Sequence, residues 1–195
     1  MIAMAKRYEF KPDRPRSSFL SKLYLTQKQR KSLLKWSLYG LLLLMLSVVQ
    51  DVLLCRMDIF GATTELVPCG IFLICLLSGM ESGSVFVLCA SCLYVFSGSA
   101  AGNYCIVFIT AIGLFAAFLR QSYLQKGFSA ALLCVALAMF VYELAVFAIG
   151  LFFQQTYFGR VGVFALTALL TSLTIPLLYP IVRAIGKIGG DPWKE

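Results

Sequence analysis

The 195-residue chain contains no histidine. That absence removes the imidazole general base, the His-ligated metal and the Ser/His or Cys/His nucleophilic pair together. Charge is scarce as well: Asp, Glu, Lys and Arg make up 13% of the chain against 60% hydrophobic residues, and the mean hydropathy is +0.86. Soluble domains carry about 25% charged residues, so this balance excludes an ordinary soluble fold and predicts a membrane protein. Cysteine is not lacking, but its placement is uninformative for chemistry. Cys55, Cys69, Cys75, Cys89, Cys92, Cys105 and Cys134 lie in apolar runs, where the thiol packs as a small hydrophobe. Cys89 and Cys92 form a lone CxxC with no second ligand pair, so neither zinc nor redox work is expected. No catalytic residue, metal site or cofactor is expected.

The charge that is present is unevenly spread. Residues 1 to 35 hold ten basic and two acidic residues, and the remaining 160 balance seven against seven. An arm this basic could serve nucleic acid, but it runs directly into an apolar segment with no recognisable nucleic-acid fold around it. Contact with anionic lipid, with Lys28, Arg30, Lys31 and Lys35 nearest the bilayer, is the expected use, worth about 1 kcal/mol per basic residue. Pro12 and Pro15 argue for little fixed structure before residue 18, "FLSKLY" for a brief amphipathic turn, and Thr26 with Gln29 for a capping box that starts a helix at Gln27.

Six apolar runs follow, at Trp36 to Cys55, Leu66 to Ser78, Ser84 to Phe96, Tyr104 to Leu119, Phe128 to Phe153 and Val161 to Val182. The first has no small-residue cleavage site after it and reads as an anchor rather than a signal peptide. The expected fold is therefore all-α, a polytopic membrane protein of about six transmembrane helices in one bundle. A basic arm (1–32), a six-span domain (33–184) and a short tail (185–195) divide the chain. The second and third runs have about 13 residues, short of the roughly 20 a span needs, so a re-entrant hairpin is an alternative to two crossings. Beginning the second run at Ile59 would lengthen it but would include Glu65. With both termini inside, fifteen basic residues lie on the cytoplasmic side and two, Arg56 and Arg160, outside.

Glu143 stands alone in "AMFVYELAVF", flanked at helical spacing by Met139, Phe140, Val146 and Phe147. A carboxylate at membrane depth costs a few kcal/mol and usually faces the bundle interior. Asp51 and Glu143 each stand 15 residues up their runs, about 23 Å from the inner edge. A polar cluster of Gln50, Asp51 and Glu143, reached by Arg56 or a tyrosine, is the candidate site; the alternative is that Asp51 snorkels outward while a neutral, protonated Glu143 donates a hydrogen bond to a backbone carbonyl. "GMESG" (Gly79, Glu81, Gly83) and "SGSAAGN" (Gly98, Gly102) read as tight turns with packing roles, and Pro180 joins them as a turn or packing residue.

Taken in order, "SVVQDVLL", "GATTELVPCGIFLICLLSGMESGSVF", "SGSAAGNY", "VYELAVF" and "IPLLYPIVRAIGKI" resemble the MreD family of bacterial rod-shape-determining membrane proteins, over roughly residues 36 to 188. Members often place an acidic residue just before the SG turn, where this chain has Tyr94. The resemblance implies a non-enzymatic scaffold subunit of the cell-elongation machinery in the bacterial cytoplasmic membrane. Its implied partners are an MreC-like protein, MreB filaments and peptidoglycan synthases. The alternative is the substrate-binding S component of an energy-coupling-factor vitamin transporter, a bundle of similar size. That class would want small residues along the first span, and "LYGLLLLMLSVV" is leucine-packed.

Overall fold

The computed structural model describes residues 27–54, 61–122 and 127–188. Within them the chain is all-helical, with six α-helices and no strand. These are α1 (Gln27–Val52), α2 (Leu66–Ser78), α3 (Met80–Phe96), α4 (Cys105–Ser122), α5 (Phe128–Phe152) and α6 (Val161–Lys187), with a 3-10 turn at Phe158–Arg160 before α6. Each apolar run became one helix. α1, α5 and α6 are long and apolar enough to cross a membrane; α2, α3 and the apolar part of α4 are shorter.

The outward surface is the strongest physical sign of a lipid environment. Leu169, Leu173, Leu177 and Ile181 recur every four residues along α6 and are all exposed, as are Leu133, Leu137, Val141 and Leu144 on α5 and Leu41, Leu44, Met45 and Val48 on α1. Soluble monomers rarely present contiguous apolar faces on this scale, whereas hydrocarbon solvates them without penalty. The inward faces follow the complementary stripe: on α5 the buried residues run Ala131, Cys134, Val135, Ala138, Met139, Tyr142, Glu143, Val146, Phe147 and Gly150, the 3-4 periodicity of one helical face. The molecule is a helical membrane bundle.

α2 is its axis. Every residue from Leu66 to Leu77 is buried, and α2 touches all five other helices. Its 13 residues give about 20 Å, well short of the roughly 30 Å hydrocarbon core. The segment leading into α2 is held to the bundle at two points, with Ala62 fully buried and the Glu65 N–H donating to Thr171 Oγ1 of α6 at 3.0 Å, while Gly61 and Thr63 are exposed. At the other end of α2, Arg120 of α4 donates to the Leu76 carbonyl, placing a cation where the helix dipole is negative.

The connection from α2 to α3 corrects the sequence reading. "GMESG" is not a turn of five residues: Gly79 alone reverses the chain, at φ 86 and ψ 176, and Met80 to Gly83 are already helical. That backbone conformation is essentially restricted to glycine. Gly83 then lies against the α2 backbone, where a Cβ would meet the Cys75 carbonyl oxygen at 2.9 Å. α2 and α3 thus form a hairpin whose arms touch within one turn of the hinge. Glu81 is exposed. "SGSAAGN" does make a turn, with Gly98 at φ 79; Gly102 packs beside the Tyr104 ring. Pro180 is not in a turn. It lies within α6 on the exposed side, one helical turn after Pro176, and the helix runs on through both. The arm before residue 27, its capping residue Thr26, Arg56, Lys126 and the tail from residue 189 lie outside the described residues.

Candidate functional site

A short helix that starts inside a bundle leaves its first N–H groups without intrahelical partners. Side chains from neighbouring helices supply them here. Gln50 of α1 extends its Oε1 to the Val67 N–H at 2.9 Å. Gln50 reaches that position because it continues the buried stripe of α1, Tyr39, Leu43, Leu46 and Gln50, at spacings of four, three and four.

Around this helix head the fold gathers polar groups that are dispersed in sequence. Glu65 occupies the position immediately before α2, with its Oε2 enclosed. The hydroxyls of Tyr94 (α3) and Tyr142 (α5) lie beside the Glu65 carboxyl. Gln50 neighbours Tyr94, whose hydroxyl donates to the Ser99 carbonyl at 3.3 Å. Cys105, at the first position of α4, neighbours Tyr142. Glu143 of α5 is 3% exposed and close enough to Glu65 for their charges to interact. Among the described residues, neither Glu65 Oε2 nor Glu143 Oε1 has a hydrogen-bond partner. Among the described residues the site holds two carboxyl groups with uncharged side chains around them, at the positive end of the α2 dipole.

The structure thus brings Gln50 and Glu143 to one cluster and leaves Asp51 out of it. Asp51 is exposed, and its Oδ2 accepts from Ser99 Oγ at 2.9 Å and Ser47 Oγ at 3.3 Å, which ties the end of α1 to the α3–α4 turn. Glu65, Tyr94, Tyr142 and Thr171 were not among the sequence-derived site residues. A signal for Glu65 was present: an acidic residue directly before an apolar run with Pro68 in its first turn marks a helix start.

The opposite end of the bundle is cationic. Lys35 holds its Nζ 5.7 Å from the Trp36 ring centroid and 5.8 Å from that of Tyr39. Arg183 covers Tyr179 at 6.0 Å. Arg30 and Lys31 are exposed on the first turn of α1, and the Lys28 side chain lies outside the described residues. Among the described residues no group of three or more Cys, Asp or Glu side chains could hold a metal ion.

Two hollows, of about 250 Å³ between α1 and α3 and about 220 Å³ between α4 and α5, are lined mainly by apolar side chains. A third, of about 40 Å³, lies between α5 and α6 with Glu143 in its wall. Compared with known proteins, the chain gives no match: no family model, no curated protein and no solved structure matches it.

Proposed function

We propose that this chain is a non-enzymatic membrane scaffold of the MreD kind, a subunit of the bacterial cell-elongation machinery. It crosses the cytoplasmic membrane several times with both termini inside. Its partners are an MreC-like protein and, through it or directly, MreB and peptidoglycan synthases, while the basic arm and Lys28, Arg30, Lys31 and Lys35 rest on anionic lipid.

One observation carries this reading. Four of the five segments on which the resemblance rests bring polar residues together at the head of α2: Gln50 from "SVVQDVLL", Glu65 from "GATTELVP", Tyr104 from "SGSAAGNY", and Tyr142 and Glu143 from "VYELAVF". Motifs that are weak one by one form a single three-dimensional feature. The apolar outward faces of α1, α5 and α6 suit a protein that works by contacting other helices in the membrane. A transporter's binding component would want a cavity of a few hundred Å³ with several polar groups in its wall; the hollow at Glu143 is about 40 Å³, and the one of about 250 Å³ between α1 and α3, which reaches Tyr94, Ser47 and Ser97, is lined mainly by apolar side chains.

Affinity purification from native membranes, with identification of co-purifying proteins, tests the proposal. Recovery of an MreC-like protein with elongation enzymes supports it. Recovery of paired ATPases with a coupling subunit replaces it by the transporter reading.

A further inference from the structure

At the basic end of the bundle, α1 and α3 meet through three aromatic rings. Trp36 lies 5.4 Å from Phe86 and 5.7 Å from Tyr39, and Tyr39 lies 6.0 Å from Phe86, centroid to centroid. Lys35 lays its ammonium against the Trp36 and Tyr39 rings, and Arg120 of α4 is close enough to Lys35 and Tyr39 for their charges to interact. Two half-buried cations therefore stand together on one side of the aromatic contact. The sequence adds Lys28, Arg30 and Lys31 within two turns and has no acidic residue from 27 to 50.

On the other side of the contact α1 and α3 part. The hollow of about 250 Å³ begins at Gly40 and Phe86 and ends at Ser47, Tyr94 and Ser97, between walls of leucine, alanine and cysteine. Gly40, Leu44, Cys89 and Leu93 in these walls are exposed, so the hollow opens to the lipid-facing surface. Its depth is that of one leaflet: Gly40 and Ser47 stand about 8 and 18 Å along α1 from Lys35, and half of a hydrocarbon core is about 15 Å. Its girth is that of one hydrocarbon chain. About 10 Å of α1 separates Gly40 from Ser47, so the volume corresponds to a mean cross-section of about 25 Å². A helix, about 10 Å across even without long side chains, does not fit.

We propose that α1 and α3 form a binding site for one anionic phospholipid, its head group at Lys35 and Arg120 and one acyl chain in the hollow. Charge complementarity selects the head group, since a phosphate meets two cations at the level where phosphates lie. Length and girth select the tail. Trp36 and Phe86 separate the two parts, as interfacial aromatics separate polar from apolar regions elsewhere in membranes. The inference goes beyond the scaffold reading and stands or falls separately from it.

Trp36 is itself the probe. The chain has two tryptophans, and Trp193→Phe leaves Trp36 alone at the floor of the hollow. The full chain is placed in vesicles of dioleoylphosphatidylcholine into which phosphatidylglycerol or phosphatidylcholine with brominated acyl chains is titrated, and Trp36 fluorescence is read. Brominated phosphatidylglycerol should quench at about fivefold lower mole fraction than brominated phosphatidylcholine. Lys35→Gln should bring the two curves together, and Lys35→Arg should keep them apart. Gly40→Leu, whose side chain enters open space, and Cys89→Leu from the opposite wall should each remove most of the quenching in excess of that given by bulk lipid. Gly162→Leu, in open space on α6, is the control and should change neither curve. Melting temperature is checked in every variant, and either of the two filling variants that keeps the wild-type value suffices.

Quenching that follows the bulk mole fraction of both lipids overturns the proposal, as does a preference for phosphatidylglycerol that survives Lys35→Gln. A preference that is intact in both filling variants places the lipid on the outer surface and leaves the hollow to a side chain of another protein, which also overturns it.

Discussion

Gln50 reaches from α1 to the backbone of Val67, its Oε1 accepting that N–H at 2.9 Å, and so one helix caps another. Gln50→Leu keeps the volume and removes the acceptor, leaving a buried N–H without a partner. The expected cost is about 1–3 kcal/mol, read as a lower melting temperature in detergent. Gln50→Glu retains the acceptor oxygen but adds a third carboxylate to the cluster; it should be no better than Gln50→Leu. A variant Gln50→Leu as stable as wild type would show that the cap contributes nothing.

Glu65 and Glu143 form one electrostatic unit, and Asp51 belongs to another, on Ser99. In double-mutant cycles, Glu65→Gln with Glu143→Gln should be non-additive by about 0.5–3 kcal/mol, while Asp51→Asn with Glu143→Gln should add within about 0.5 kcal/mol. Equal coupling in both cycles would undo the division into two sites.

The α2–α3 hairpin depends on two glycines for different reasons. Gly79→Ala forces a side chain into a conformation that disfavours it, at about 1–3 kcal/mol, and Gly83→Ala drives a Cβ into the Cys75 carbonyl. Both should lower thermal stability. Gly40→Ala serves as the control: its Cβ would meet nothing within 4 Å, and helix propensity favours the change by up to about 1 kcal/mol.

Cysteine accessibility tests the crossing pattern. In a variant with the native cysteines replaced, single cysteines at position 81, in the first turn of α3, and at position 100, beyond its end, should be labelled by a membrane-impermeant reagent from opposite faces, with 81 inside. Labelling of both from one face would leave α2 and α3 as a re-entrant hairpin.

The existence and number of the helices were legible in the sequence because hydrophobic run length alone sets where a chain can bury itself in a bilayer. α2 matches its apolar run residue for residue, and the run from Phe128 differs from α5 by one residue at its end. Glu143 was equally legible, since a lone carboxylate in such a run must face protein. The rest was not. Successive residues on a helix point about 100° apart, so Gln50 and Asp51, adjacent in sequence, face different surroundings. In a helix apolar on all sides no pattern reveals which face turns inward.

The sequence by itself determined that this is a membrane bundle of six helices with a basic end and at least one carboxylate in its interior. Only the tertiary structure decided which groups meet. α2 is too short to span, so its head lies within the protein. Its unpaired N–H groups draw in Gln50, and packing five helices around it sets Glu65, Tyr94, Tyr142 and Glu143 at one point. Such convergence comes from helix rotation and tilt, which side-chain packing fixes and hydropathy does not encode.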